Sequence, residues 1–261
     1  MTPLVRSYAE SAVVIAGGTS GVGLASAYGF LDAGVRRLAL LARNEERGRQ
    51  ARERLEKHCP EAQVEFVAVD ASDVAQVDSA IAGARTALGA VDVLVSSVTT
   101  TYRPELLHRI PAADIAGVLC GQALPPMLLT RAVLPLMSEQ GGGSIVTIAS
   151  DAAKVATPGE SILGAAMAAI VMFTRVAAIE AKRNGVRVNA VTPSLIAGTP
   201  TAENVLRDGF SRKLFEKAAE QAHLGVAEPE DLAALVVFLG GPGSSRLTGQ
   251  AISVNGGVSA A

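Results

Sequence analysis

Charge is scarce in this chain. Only 18% of its 261 residues are Asp, Glu, Lys or Arg, the formal net charge is −2, and no basic block stands anywhere along it. A nucleic-acid partner is not expected, because that role needs a concentrated positive field. There are two cysteines, Cys59 and Cys120, far apart in unrelated contexts, which is the usage of reduced thiols in a cytoplasmic protein. The longest apolar run, 162–173, has twelve residues and is too short to cross a bilayer. The start of the chain has no basic-then-apolar signal pattern, since "VVIAGGTSG" reaches glycine almost at once. Linkers, repeats and low-complexity segments are missing too. The expectation is a soluble cytoplasmic protein with no membrane partner.

Apolar residues, in contrast, are abundant at 49%. That surplus suggests apolar surface buried between subunits. The length suits one large α/β domain or two small ones. Short β-branched runs alternate with longer stretches of helical period. Strands are expected at 12–17, 37–42, 63–70, 91–97, 143–150, 186–192 and 250–256. Helices are expected at 22–34, 44–58, 73–88, 112–138, 160–184 and 229–239, with a looser segment at 197–223. The prolines of "LPPM" should bend the helix 112–138, because proline removes a backbone donor. Continuous apolar strands separated by helices imply a parallel sheet covered on both faces. One doubly wound domain over residues 1–261 is the reading.

"GGTSGVG" (17–23) lies between the first strand and the first helix. Gly17 permits a tight turn, Gly21 lets the backbone approach a phosphate, and Gly23 allows close packing of helix on strand. The amides that open the helix then face a pyrophosphate, where the helix dipole favours negative charge. The second strand ends in "LLAR", which puts Arg43 where a dinucleotide fold reads the adenosine ribose. A guanidinium there suits a 2′-phosphate, and hence NADP(H) rather than NAD(H); the alternative is a solvated arginine opening the next helix. Asp70, ending the third strand, either accepts from an adenine amino group or caps the following turn.

In this order the residues resemble the short-chain dehydrogenase/reductase family, and the resemblance covers nearly the whole chain. The loop is similar to the family's T-G-x-x-x-G-x-G pattern, with Ala16 in place of threonine. "VAVDASD" (67–73) resembles its adenine-pocket strand, "GVRVNAVTPS" (185–194) its sixth strand and the turn beyond, and 227–257 its C-terminal signature. The resemblance implies a Rossmann-type doubly wound sheet of order 3-2-1-4-5-6-7, usually a tetramer, and hydride transfer between NAD(P) and an alcohol or ketone. It also implies a dinucleotide held by Gly17, Thr19, Ser20, Gly21, Val22, Gly23, Arg43, Asp70, Ala71, Ser96 and Pro193.

At the positions where the family keeps its catalytic residues, this chain departs from it. Ser150 matches the family's serine. Thirteen residues on, where the family has a tyrosine, stands Leu163; four further on, in place of its lysine, stands Met167. Gln122 stands for the family's asparagine, and Ser96, Ser97, Val98 and Thr99 replace its N-N-A-G turn. Leucine has no proton to give and methionine no charge. Of the three tyrosines only Tyr102 falls in a loop at the carboxyl edge of the sheet, where such folds bind ligands. Lys154, His108, Asp151 and Glu160 are further candidates there, the two carboxyls if burial raises their pKa. Without a neighbouring base Ser150 is a hydrogen-bond donor to a carbonyl rather than a nucleophile. Three functions remain open: a divergent NADP(H)-dependent oxidoreductase, a non-redox cyclase, isomerase or dehydratase with an apolar pocket, or a silent subunit with a vestigial cofactor site. The substrate expected is a small molecule of apolar character. The helix 160–184, apolar on more than one face, should pack on its copy in a homodimer or homotetramer, with 112–138 beside it.

Overall fold

The computed structural model describes residues 4–100, 102–207 and 209–261. Seven parallel strands form one sheet: β1 (Ala12–Ala16), β2 (Arg37–Ala42), β3 (Gln63–Ala68), β4 (Val93–Ser96), β5 (Gly143–Ile148), β6 (Val186–Pro193) and β7 (Ala251–Val254). Their order is β3-β2-β1-β4-β5-β6-β7, as the resemblance implied. The order reverses beside β1, so β1 and β4 diverge to opposite crossovers and leave a crevice at their carboxyl ends.

Residues along one strand serve two cores. Ala12, Val14 and Ala16 of β1 face α3 (Val74–Leu88), α4 (Ala112–Glu139) and α5 (Ser161–Ala181). Val13 and Ile15 face α1 (Gly21–Asp32), α2 (Glu45–His58) and α8 (Pro229–Gly240). Every β1 residue is therefore buried, which is why the strand reads as an unbroken apolar run rather than an alternating one. The helices start where side chains can cap them: Asn44 accepts from the Arg47 N–H ahead of α2, and Asp73 from the Gln76 N–H ahead of α3.

The structure differs from the sequence reading in four places. The segment 197–223 is not loose; it folds into α6 (Pro200–Val205) and α7 (Gly209–Gln221). Its breakers, Gly198, Pro200 and Gly209, turn out to be boundary residues, and Thr199 caps α6 by accepting from the Ala202 N–H. α4 runs as a single helical element through Pro125, Pro126 and Pro135. β3 ends at Ala68 and β5 at Ile148, so Asp70 and Ser150 lie two residues beyond their strands, in turns. The twelve-residue apolar run lies inside a helical stretch of 161–184 which, like α4, is long and apolar enough to cross a membrane; both pack on the sheet as cover helices.

Candidate active site

The glycine loop leaves β1 at the crevice. The Gly17 N–H donates to the Leu41 carbonyl, and the Ser97 N–H to the Ala16 carbonyl, so the ends of β2 and β4 clamp the loop from both sides. Gly17 has φ +78°, and a Cβ there would lie 2.4 Å from the Ser97 carbonyl oxygen. At Gly23 a Cβ would lie 2.2 Å from the Gly17 carbonyl oxygen, so only glycine lets α1 turn back onto its own loop. α1 is also uncapped. Ser20 makes no side-chain cap bond, and the first helical donor is the Leu24 N–H, to the Ser20 carbonyl. The N–H groups of Gly21, Val22 and Gly23 have no protein partner among the described residues, beside half-buried Thr19 and Ser20. Free amides at the positive end of a helix dipole suit a pyrophosphate.

Around that crevice stand the other cofactor-binding candidates. Arg43 directly follows β2, is exposed, and makes no hydrogen bond or ion pair with another described residue. Ala71, Ser96 and Pro193 are buried at the same edge. Asp70 is engaged locally: its carboxylate accepts from the Ser72 N–H at 2.9 Å, the turn-capping alternative. One carboxylate oxygen has no assigned partner there, which leaves room for an adenine amino group. The loop and Arg43 together fit the phosphate-rich end of a dinucleotide.

Leu163 and Met167 pack with neighbours of Ser150. Leu163 and Met167 join Ala149, Ala153, Ile170, Val171, Ala123 and Ala251 in one apolar cluster, so the two residues flanking the Ser150–Ala152 stretch pack directly on α5. Gly164 makes that approach possible, since a Cβ there would meet the Ala152 carbonyl oxygen at 2.9 Å. The Ser150 hydroxyl oxygen accepts from the Ala152 N–H at 3.2 Å, which leaves its own proton available to a ligand. Gln122 is buried on α4, with its amide oxygen 3.5 Å from the Thr99 hydroxyl. Pro125 and Pro126 have no N–H, so the Gly121 and Gln122 carbonyls lack their usual helical donors.

The titratable candidates separate by environment. The Tyr102 hydroxyl donates to the Gly159 carbonyl at 3.1 Å; burial first, then the Glu160 and Glu105 carboxylates, push its pKa up. A phenol with its proton committed and its pKa raised is a poorer acid than a free one. His108 is exposed in a short 3-10 turn. Lys154 donates to the Ser253 hydroxyl and the Ala261 carbonyl, both at 2.5 Å, and burial lowers its pKa. Asp151 accepts from Asn255 Nδ2 at 3.0 Å and from the Ser259 hydroxyl at 2.5 Å. Sequence reasoning missed Ser253, Asn255 and Ser259; the first two lie in the "SVNGG" end of the C-terminal signature, and Ser259 falls beyond it. Glu160, 9% exposed, is pushed up to about 7, chiefly by burial, with the Asp151 carboxylate adding to it and a Thr157 hydrogen bond opposing it.

A seven-stranded sheet of this order, with a glycine loop at its switch point, defines a class of nucleotide-binding α/β proteins. Within that class the family model for enoyl-(acyl carrier protein) reductase matches residues 16–259. The chain is 34% identical over 249 residues to 2-(R)-hydroxypropyl-CoM dehydrogenase of Xanthobacter autotrophicus, covering 95% of this chain and 98% of that one. This chain belongs to the short-chain dehydrogenase/reductase family of oxidoreductases. Among solved structures it resembles L-sorbose reductase from Gluconobacter frateurii, complexed with NADPH and L-sorbose (TM-score 0.85, 30% identity, 97% of this chain and 98% of that one). It also resembles the apo structure of a short-chain oxidoreductase from Pseudomonas aeruginosa PAO1 containing an atypical catalytic center (TM-score 0.88, 27% identity, 98% and 100%).

Proposed function

We propose that this protein binds NADP(H) in preference to NAD(H) and acts on a small apolar molecule at a site without the family's phenol and ammonium. The observation that carries the reading is the pairing of an uncapped α1 N-terminus with an Arg43 at the end of β2 that has no partner among the described residues. The dinucleotide, when bound, supplies or accepts a hydride at the carboxyl edge of the sheet. The loop amides hold its pyrophosphate, and the Arg43 guanidinium pairs with a 2′-phosphate. The complex of L-sorbose reductase with NADPH supports the same preference.

At the reacting end the Ser150 hydroxyl donates a hydrogen bond to a carbonyl oxygen, while Leu163 and Met167 form an apolar wall. Ordinary reduction of simple ketones is then slow, because a positioned acid contributes roughly 10²–10⁴-fold in rate. That same wall favours a second reading: non-redox chemistry such as isomerisation, cyclisation or dehydration, or a silent dinucleotide-binding subunit. Fluorescence titration separates the cofactor claim from these. NADPH should bind at least tenfold more tightly than NADH, and Arg43→Ala should erase most of that difference. Equal affinities in the unaltered protein would sink the NADP(H) assignment.

Assembly belongs to the same proposal. Met172, Val176 and Ile179 project from α5 at helical spacing and are 56%, 49% and 63% exposed. Beside them α4 and α5 border a groove lined by Met127, Leu134, Phe173 and Ala177. An apolar stripe this exposed fits a second copy of α5 across a two-fold axis. Light scattering at micromolar concentration should return twice or four times the chain mass of 26.6 kDa. Ile179→Glu should shift it toward the single chain. A monomer in the unaltered protein refutes the assembly.

A further inference from the structure

A cavity of about 160 Å³ lies at the edge of the sheet opposite the glycine loop. Val93, Gly143 and Val186 open β4, β5 and β6 and all line it, which places it at the amino ends of those parallel strands. The segment ahead of β1 forms one wall, held there by the Leu4 N–H donating to the Gly141 carbonyl at 3.1 Å. Gly142 lets that segment in, because a Cβ there would lie 2.4 Å from the Leu4 carbonyl oxygen. Arg6, Lys182, Arg187 and Arg246 line the cavity, against a single carboxylate, Asp92. We propose that this cavity binds a phosphoryl group, either free phosphate or the head of a small organic monoester.

The charges around the cavity do not cancel within the protein. The Asp92 carboxylate accepts from the Ala12 N–H at 2.8 Å and from Gln140 Nε2 at 3.0 Å, and its ion pair is with Arg6 Nε at 3.2 Å. It makes no bond to the other three cations. The Arg187 guanidinium is held by neutral acceptors. Its Nη1 donates to the Leu239 and Ser244 carbonyls and to the Ser244 hydroxyl, and its Nη2 to the Gly241 carbonyl. Among the described residues nothing accepts from its Nε–H and no carboxylate pairs with it. Burial pushes its pKa down to about 10, against a smaller upward pull from Tyr8, as expected of a cation drawn out of water without an anion. Lys182 and Arg246 are exposed, and their side chains have no partner among the described residues. Three uncompensated cations on one concave surface focus a positive field there. A phosphoryl group carries the charge that is missing, with oxygens arranged as guanidinium donors pair with them. Val5, Val93 and Leu247 leave apolar room beside it for a small ester group.

Isothermal titration with inorganic phosphate and with phenyl phosphate tests the site. Both should bind the unaltered protein saturably. Arg187 supports the chain where α8 ends, so removing it would test folding as much as binding; exposed Lys182 and Arg246 are the cleaner pair. Lys182→Ala combined with Arg246→Ala should weaken both probes roughly tenfold, the loss expected for charge-assisted hydrogen bonds. Arg54→Ala combined with Lys57→Ala removes the same charge from the exposed face of α2. That control should stay within about twofold of the unaltered protein, since distant surface charges are screened. Tighter binding of phenyl phosphate assigns an organic monoester, and equal or weaker binding assigns free phosphate. No saturable binding, an unchanged affinity without Lys182 and Arg246, or an equal loss in the α2 control would each overturn the proposal. Phosphate held by the glycine loop instead would give the second of these results, because that loop lies at the other edge of the sheet.

Discussion

Between pH 5 and pH 8 the stability of the Glu160→Gln variant relative to the unaltered protein is expected to rise by about 2.5 kcal/mol, the linkage of one carboxyl raised from 4.5 to about 7. In the unfolded chain Glu160 loses its proton near its ordinary value, whereas in the folded protein burial holds the proton to about pH 7. Across that window the native state binds more protons than the unfolded state, so stability falls as pH rises. Below it both states are protonated and the full contribution is present. Above about pH 7 both are ionised and the loss is complete. Glutamine has the same shape and cannot ionise, so the variant lacks this slope while any steric cost of the change stays constant with pH. Urea midpoints at pH 5, 6, 7 and 8 measure the difference. Parallel curves for the two proteins would mean that the carboxyl is solvated.

Gly23→Ala should lower stability by about 3 kcal/mol and weaken NADPH binding at least tenfold, since overpacking against backbone leaves nothing flexible to yield. The added Cβ would lie 2.2 Å from the Gly17 carbonyl oxygen and 2.8 Å from its carbon. Helix propensity works in the opposite direction, by about 1 kcal/mol in favour of alanine, and is the smaller effect. Gly83→Ala isolates that smaller effect: in α3 its Cβ would meet nothing within 4 Å, so this variant should gain up to about 1 kcal/mol. Relief of the clash requires the Gly17–Gly18 backbone to move, and with it the amides proposed to hold a pyrophosphate. Urea midpoints and NADPH titration read both effects. A Gly23→Ala protein as stable as Gly83→Ala would show that the loop is not packed as described.

Sequence pattern alone determined the sheet and its cover helices. Strands such as Ala12–Ala16 are buried on both faces, so their apolar runs are continuous, and each helix that separates them is long enough to carry the chain back across the sheet. The turn at "GGTSGVG" was equally legible, because positive φ and backbone contact leave glycine as the only residue that fits. The strand order came through the family resemblance rather than from pattern. α6 and α7 were not legible, since glycine and proline mark a helix end and a loop alike. Of the site, only residue identities were legible. Leu163 and Met167 could be read off the chain, and so could the presence of Tyr102 and Glu160 in the loops after β4 and β5. Tertiary structure alone decided the surroundings of those two. It seats the Tyr102 hydroxyl on a carbonyl 57 residues away, and it gathers Asn255 and Ser259 onto Asp151 from 104 and 108 residues away. A pKa depends on burial and on neighbours brought together by folding, and no local pattern encodes either.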